Sequence, residues 1–116
     1  MNKICTSIEQ SQRLIELGID INTADMDYIP VVNIDGEYSI SVNVWDNDHV
    51  IEEGWIPAWS LSALLELTPN DVSLLHFEDA YQAVYDVRPY YITNKSDNPL
   101  DAVFEMVCWL KENEKI

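Results

Sequence analysis

Tyr28-Ile29-Pro30-Val31-Val32-Asn33-Ile34-Asp35-Gly36-Glu37-Tyr38-Ser39-Ile40-Ser41-Val42-Asn43-Val44-Trp45 decides the fold. Asp35-Gly36 is a two-residue hairpin signal, because the favoured turn needs positive φ at its central positions and these residues tolerate it. The spacing therefore predicts two antiparallel strands, Tyr28 to Ile34 and Glu37 to Trp45. In the second, Tyr38, Ile40, Val42 and Val44 alternate with Glu37, Ser39, Ser41 and Asn43. That period of two predicts one buried face and one wet face.

On the N-terminal side, Ser7-Ile8-Glu9-Gln10 reads as a capping box, and Ile8, Leu14 and Ile15 supply an apolar stripe. A first helix is expected over Ile8 to Leu17, with Gly18 free to take the left-handed conformation that ends it. On the C-terminal side, Trp55-Ile56 returns as a short extended segment. Ser60 to Leu67 follows as a second helix, stopped at Thr68-Pro69 because the residue before Pro is pushed out of the helical region.

Val72 to Phe77 and Tyr81 to Val87 form a second strand pair around Glu78-Asp79-Ala80. Arg88-Pro89 bends or ends it, with Tyr90 to Ile92 continuing. Asn98-Pro99 opens a third helix: Asn caps, Pro sits at the first position, and Asp101 meets the positive end of the helix dipole. Leu100, Val103, Phe104, Val107 and Cys108 recur at helical spacing, and Met106, Trp109 and Leu110 widen the stripe.

The order α–ββ–α–ββ–α indicates an α+β fold, with a largely antiparallel sheet from two hairpins and about three helices. At 116 residues the chain is expected to be a single small globular domain spanning residues 1–116.

Charge sets the next constraint. The chain holds 21 Asp+Glu against 6 Lys+Arg, a formal net charge of −15. A hydrophobic content of 47% is too high for a disordered acidic tail. The acidity argues against direct nucleic-acid or anionic-membrane binding, both of which need a basic footprint. Between Arg13 and Arg88 there is no Lys or Arg, yet residues 14–87 carry 15 of the carboxylates.

The N-terminus shows no apolar signal-peptide core, and no stretch approaches the 18 or so apolar residues that span a bilayer. Cys5 and Cys108 are far apart and form no C-x-x-C pair. A cytoplasmic protein with reduced thiols is the expectation.

Enzyme signatures are sparse. Gly18, Gly36 and Gly54 are the only glycines and stand 18 residues apart, which excludes G-x-G-x-x-G and Walker loops. His49 and His76 belong to no zinc motif. Asp46-Asn47-Asp48-His49-Val50-Ile51-Glu52-Glu53 fails the EF-hand pattern, since Ile51 replaces the turn glycine and no Glu stands at the twelfth position. No catalytic residue, cofactor or metal is expected. A small carboxylate-based hydrolase is the enzymatic alternative.

The aromatic residues are more suggestive. Trp45, Trp55 and Trp59 surround the central acidic loop, and Trp beside carboxylates suits Arg and Lys recognition. Trp45, Asp46, Asp48, Glu52, Glu53, Trp55 and Trp59 are therefore the candidate partner-binding residues.

Ser7-Ile8-Glu9-Gln10-Ser11, Thr23-Ala24-Asp25-Met26, the segment Pro57 to Leu67 and Asp97 to Ala102 share a further property, as does the ending Phe104 to Glu112. They resemble segments of a group of short acidic proteins of unknown function from gut-type bacteria and their mobile elements. The resemblance covers about half the chain and implies a small bacterial or phage-encoded soluble protein, with no particular activity.

The leading functional expectation is a non-enzymatic acidic binding or regulatory protein that docks a basic partner. A DNA mimic or immunity-type inhibitor is a sharper form of it. A structural homo-oligomer, pairing through an exposed strand, is another alternative.

Overall fold

The computed structural model describes residues 4–31, 36–42 and 54–116. Three helices and two three-stranded antiparallel sheets give the α+β fold expected from the element order, with the strands divided between two sheets.

Helix α1 (Ile8–Glu16) begins at the predicted capping box: the Gln10 N–H donates to Ser7 Oγ at 3.1 Å, and the Ser7 N–H to Gln10 Oε1 at 2.9 Å. Gly18 follows with φ +89°, and the Ile19 N–H closes back on the Leu14 carbonyl at 3.0 Å. Only glycine enters that conformation without strain, so the helix ends there.

The first sheet contains β1 (Met26–Pro30), β2 (Tyr38–Val42) and β3 (Ile56–Ala58), ordered β2-β1-β3. Here the structure departs from the expected hairpin. The register pairs Tyr28 with Ile40 and Pro30 with Tyr38, and the Val31 N–H donates to the Glu37 carbonyl at 2.9 Å. A two-residue Asp35-Gly36 turn would instead have paired Glu37 with Ile34. Side-chain period explains the longer connection: in the two-residue register Tyr28 would face Asn43 and Pro30 would face Ser41. A slip of odd size moves every side chain to the opposite face, so matching apolar faces outweighs the local turn signal. The predicted burial does not occur at Tyr38 and Ile40, which are 38% and 44% exposed, while Val44 lies outside the described residues.

The second sheet contains β4 (Val72–His76), β5 (Tyr81–Tyr85) and β6 (Tyr91–Ile92), ordered β4-β5-β6. The β4–β5 hairpin pairs His76 with Tyr81 and closes through the Phe77 N–H and the Ala80 carbonyl, with Glu78-Asp79 at the tip.

Helix α2 (Leu61–Leu67) and helix α3 (Pro99–Glu112) complete the fold. Helix α3 has more buried residues than α1 or α2, as its wide apolar stripe foretold. Leu100, Val103 and Val107 join Leu14, Ile19, Ala24, Trp59, Ala63 and Leu64 in one cluster. Met106 and Leu110 turn to the second sheet and meet Ala83 and Tyr85. Trp109 is half-buried rather than central, its ring stacked on Tyr91 at 4.5 Å.

Asn98 fixes where α3 begins. Its Oδ1 accepts from the Asp101 N–H at 2.8 Å, and its Nδ2 donates to the Asp101 carboxylate at 2.8 Å and to Asp97 at 3.0 Å. The Asp101 carboxylate also accepts from Gln10 Nε2 at 2.8 Å, which ties the starts of α1 and α3 together. Asn98→Ala is expected to cost about 1–2 kcal/mol of stability, read as a lower urea midpoint, with Asn98→Ser retaining most of it.

Candidate interaction surface

Of the seven candidate partner-binding residues, Trp45, Asp46, Asp48, Glu52 and Glu53 lie outside the described residues. Trp55 is half-buried. Trp59 is a core residue and not a surface anchor: it is 0% exposed and packs among α1, α2 and α3. Its indole N–H donates to Thr23 Oγ1 at 2.9 Å, so the one polar atom of the ring is satisfied inside. Its place beside an acidic loop in sequence does not reveal this, because strand β3 carries the chain inward. Trp59→Ala is expected to cost about 3–5 kcal/mol in denaturant unfolding, with Trp59→Phe costing less because most of the ring volume remains.

The carboxylates behave differently. In residues 14–87, Glu16, Asp20, Glu37, Glu66, Asp71, Glu78, Asp79 and Asp86 are exposed, whereas Asp25 is half-buried and Asp27 is 3% exposed. Asp25 is structural, since its two oxygens accept the N–H and O–H of Ser60, the residue that caps α2. Arg13 is 3.4 Å from Glu112 and 3.9 Å from Glu16. These exposed carboxylates are distributed over α1, the turn after it, the residue before β2, α2 and the ends of the second sheet.

Among the described residues, the second sheet combines exposed carboxylates with exposed apolar side chains. Its inner side, with Val72, Leu74, Ala83, Tyr85 and Tyr91, packs on the core. Strand alternation sends Leu75 and Phe77 outward, where they are 42% and 40% exposed. Ile92, opposite Val84, adds to that side, and Tyr90 just before β6 is 60% exposed. Asp71 and Asp86 sit at one end, bonded through the Asp86 N–H and the Asp71 carbonyl, while Glu78 and Asp79 form the other end. Lys95 lies over the Phe77 ring at 5.3 Å, and Arg88 over Tyr90 at 6.0 Å. Sequence reading missed this face because Val72 to Phe77 lacks clean alternation: Leu74 and Leu75 are adjacent yet point to opposite sides.

Chemistry elsewhere is limited. His76 is exposed and stacked on Tyr81 at 4.3 Å, and among the described residues no three His, Cys, Asp or Glu side chains are gathered as a metal site. A cavity of about 210 Å³ is lined by Gly18, Ile19, Asp20, Thr23, Leu67, Lys111 and Ile116, below the usual volume of a pocket for a drug-sized ligand. Among the described residues no helix is long and apolar enough to cross a membrane.

Neither Cys5 nor Cys108 takes part in a disulfide. Burial pushes the Cys108 thiol up to about 11, with Glu112 and Glu105 adding to the effect and Arg13 opposing it. The neutral thiol is thus favoured in the folded state, and the unfolded chain loses its proton first as pH rises. The resulting contribution to stability is complete below the ordinary thiol value of 9.0 and is lost as pH climbs toward about 11. Alkylation of Cys108 in the native protein should therefore be slow near neutral pH and accelerate through that window, as followed by mass spectrometry.

Comparison with protein-family models, with curated proteins and with solved structures finds no match for this chain.

Proposed function

We propose that this chain is a non-enzymatic binding protein whose acidic surface docks a basic protein partner in the cytoplasm. The observation that carries this reading is a cation-free stretch, residues 14–87, with eight exposed carboxylates among its described residues. One exposed ion pair contributes only about 0–1 kcal/mol, so no single carboxylate defines affinity. The summed field is a different matter, since it accelerates encounter with a cationic surface and disfavours anionic competitors. Apolar side chains set between the carboxylates, such as Leu75 and Phe77, supply the non-directional part of binding. The spread of carboxylates over several elements favours a docking surface over a phosphate-like row. Two cysteines that form no disulfide, far apart in sequence, support the cytoplasmic placement.

Affinity capture from a producing cell tests this reading, run at about 20 mM and about 300 mM salt to span weak and strong screening. The expected result is a retained protein of basic isoelectric point, released progressively by salt. Retention of nothing at low salt, or of acidic proteins alone, would overturn it.

A further inference from the structure

Strand β4 is an open sheet edge. The order β4-β5-β6 leaves it paired on one side only. In an antiparallel pair, alternate residues direct their N–H and C=O groups toward the partner strand. The bonds from Phe77 N–H to the Ala80 carbonyl and from Asp86 N–H to the Asp71 carbonyl show that odd-numbered residues face β5. Tyr81 and Ala83 correspondingly bond away from β4, to Ser96 and Thr93. The main-chain groups of Leu74 and His76 therefore point out of the sheet, and among the described residues no strand pairs with them.

The usual protections of an edge are missing from β4. It contains no Pro and no Lys, and its register with β5 runs through five consecutive pairs without a bulge. By contrast β3 is three residues long and carries Pro57, and β6 has two residues. What flanks β4 is charge: Asp71 before it, and Glu78 and Asp79 after Phe77, all exposed.

That flanking charge selects the occupant. A second copy of β4 pairing antiparallel about Leu74 would set Asp71 of one chain beside the Phe77–Glu78 end of the other. Carboxylates would meet carboxylates at both ends, in molecules each carrying a net charge of −15. An extended segment with Lys or Arg at its ends meets the opposite situation. Its apolar residues would lie beside the outward Leu75 and Phe77. Lys95 over the Phe77 ring offsets one carboxylate and leaves the flanks net negative.

We infer that β4 takes an added strand from its partner, an extended cationic segment with alternating apolar residues, through the main-chain groups of Leu74 and His76. The inference rests on the acidic-docking reading and gives it a partner shape and a register.

The test uses the full chain and synthetic peptides of about seven residues, long enough to span β4 and its flanks. One has Lys at both ends with alternating Val and Thr between them. A second has the same sequence, N-methylated at the residues that would bond to β4, so its charge is unchanged. The first peptide is expected to slow hydrogen exchange of the Leu74 and His76 amides and to bind about tenfold or more tightly than the second. Replacing Glu78 and Asp79 together by Lys should weaken the first peptide while leaving the fold intact, as judged by circular dichroism. Equal binding of both peptides without amide protection would overturn the strand-addition inference and leave the acidic-docking reading standing. Failure of both peptides, together with an empty capture at low salt, would overturn the two together. Protection of the same amides by concentration-dependent dimerisation, without peptide, would replace the cationic occupant by a second copy.

Discussion

The fold depends on how Trp59 is held. Its ring is fully buried among three helices, and its main chain is clamped from the other side. The Thr6 N–H donates to the Trp59 carbonyl at 2.9 Å, and the Trp59 N–H donates to Thr6 Oγ1 at 3.1 Å. Thr6 Oγ1 shares a further hydrogen bond of 2.7 Å with the buried Ser11 hydroxyl on α1. One residue later Ser60 bonds to Asp25 and accepts from the Ala63 N–H as the cap of α2. A short segment thus joins the N-terminus, the first sheet and the helical core. Burying these polar groups is tolerable only because each has a partner, since an orphaned one costs about 1–3 kcal/mol.

Helix α3 performs the matching task for the second sheet. Its apolar stripe is wide enough to face two neighbours: Val103 and Val107 meet α1 and α2, while Met106 and Leu110 meet β5. Tyr91 from β6 stacks on Trp109 and donates its hydroxyl to Glu105 at 3.1 Å. Burial and the nearby Glu105 both raise the Tyr91 hydroxyl above its ordinary value, so it remains a donor. The first sheet gains no such helix along its length. Its buried contacts gather near one end, where Cys5, Met26 and Ala58 pack with Tyr28, and Tyr38, Ser39 and Ile40 of β2 are exposed.

This contrast explains what was legible in the sequence. Helix starts were readable to the residue at Ser7 and Asn98, and within one residue at Ser60, because capping is a local match between one side chain and a few amides. The two hairpins were readable as well. Register and burial were not, because they are set by partners distant in the chain. Asp35-Gly36 predicts a tight turn in isolation, yet the register obeys the faces of Tyr28 and Ile40. Trp59 reads as an anchor beside acidic residues, and its burial follows only once Thr6, Thr23 and α3 are placed around it. The outward pairing of Leu75 with Phe77 was likewise hidden, since it needs the strand's inner neighbours to be known.

The charge of −15 acquires a structural meaning from the edge of β4. An unprotected edge strand with Leu75 and Phe77 exposed is a liability for any chain that meets copies of itself. Pro within the strand would protect it by removing a main-chain donor from every partner, and Lys there would repel a cationic one. Carboxylates at the two ends act differently, because their effect depends on the sign of what approaches. Against an identical acidic chain they repel, and the repulsion reaches about 10 Å at 0.1 M salt. Against a cationic strand the same groups attract, with the main-chain donors and acceptors of Leu74 and His76 still open. In the proposed strand addition, acidic residues concentrated in a stretch without cations would discriminate between partners by sign, which a neutral surface with the same apolar side chains would not do.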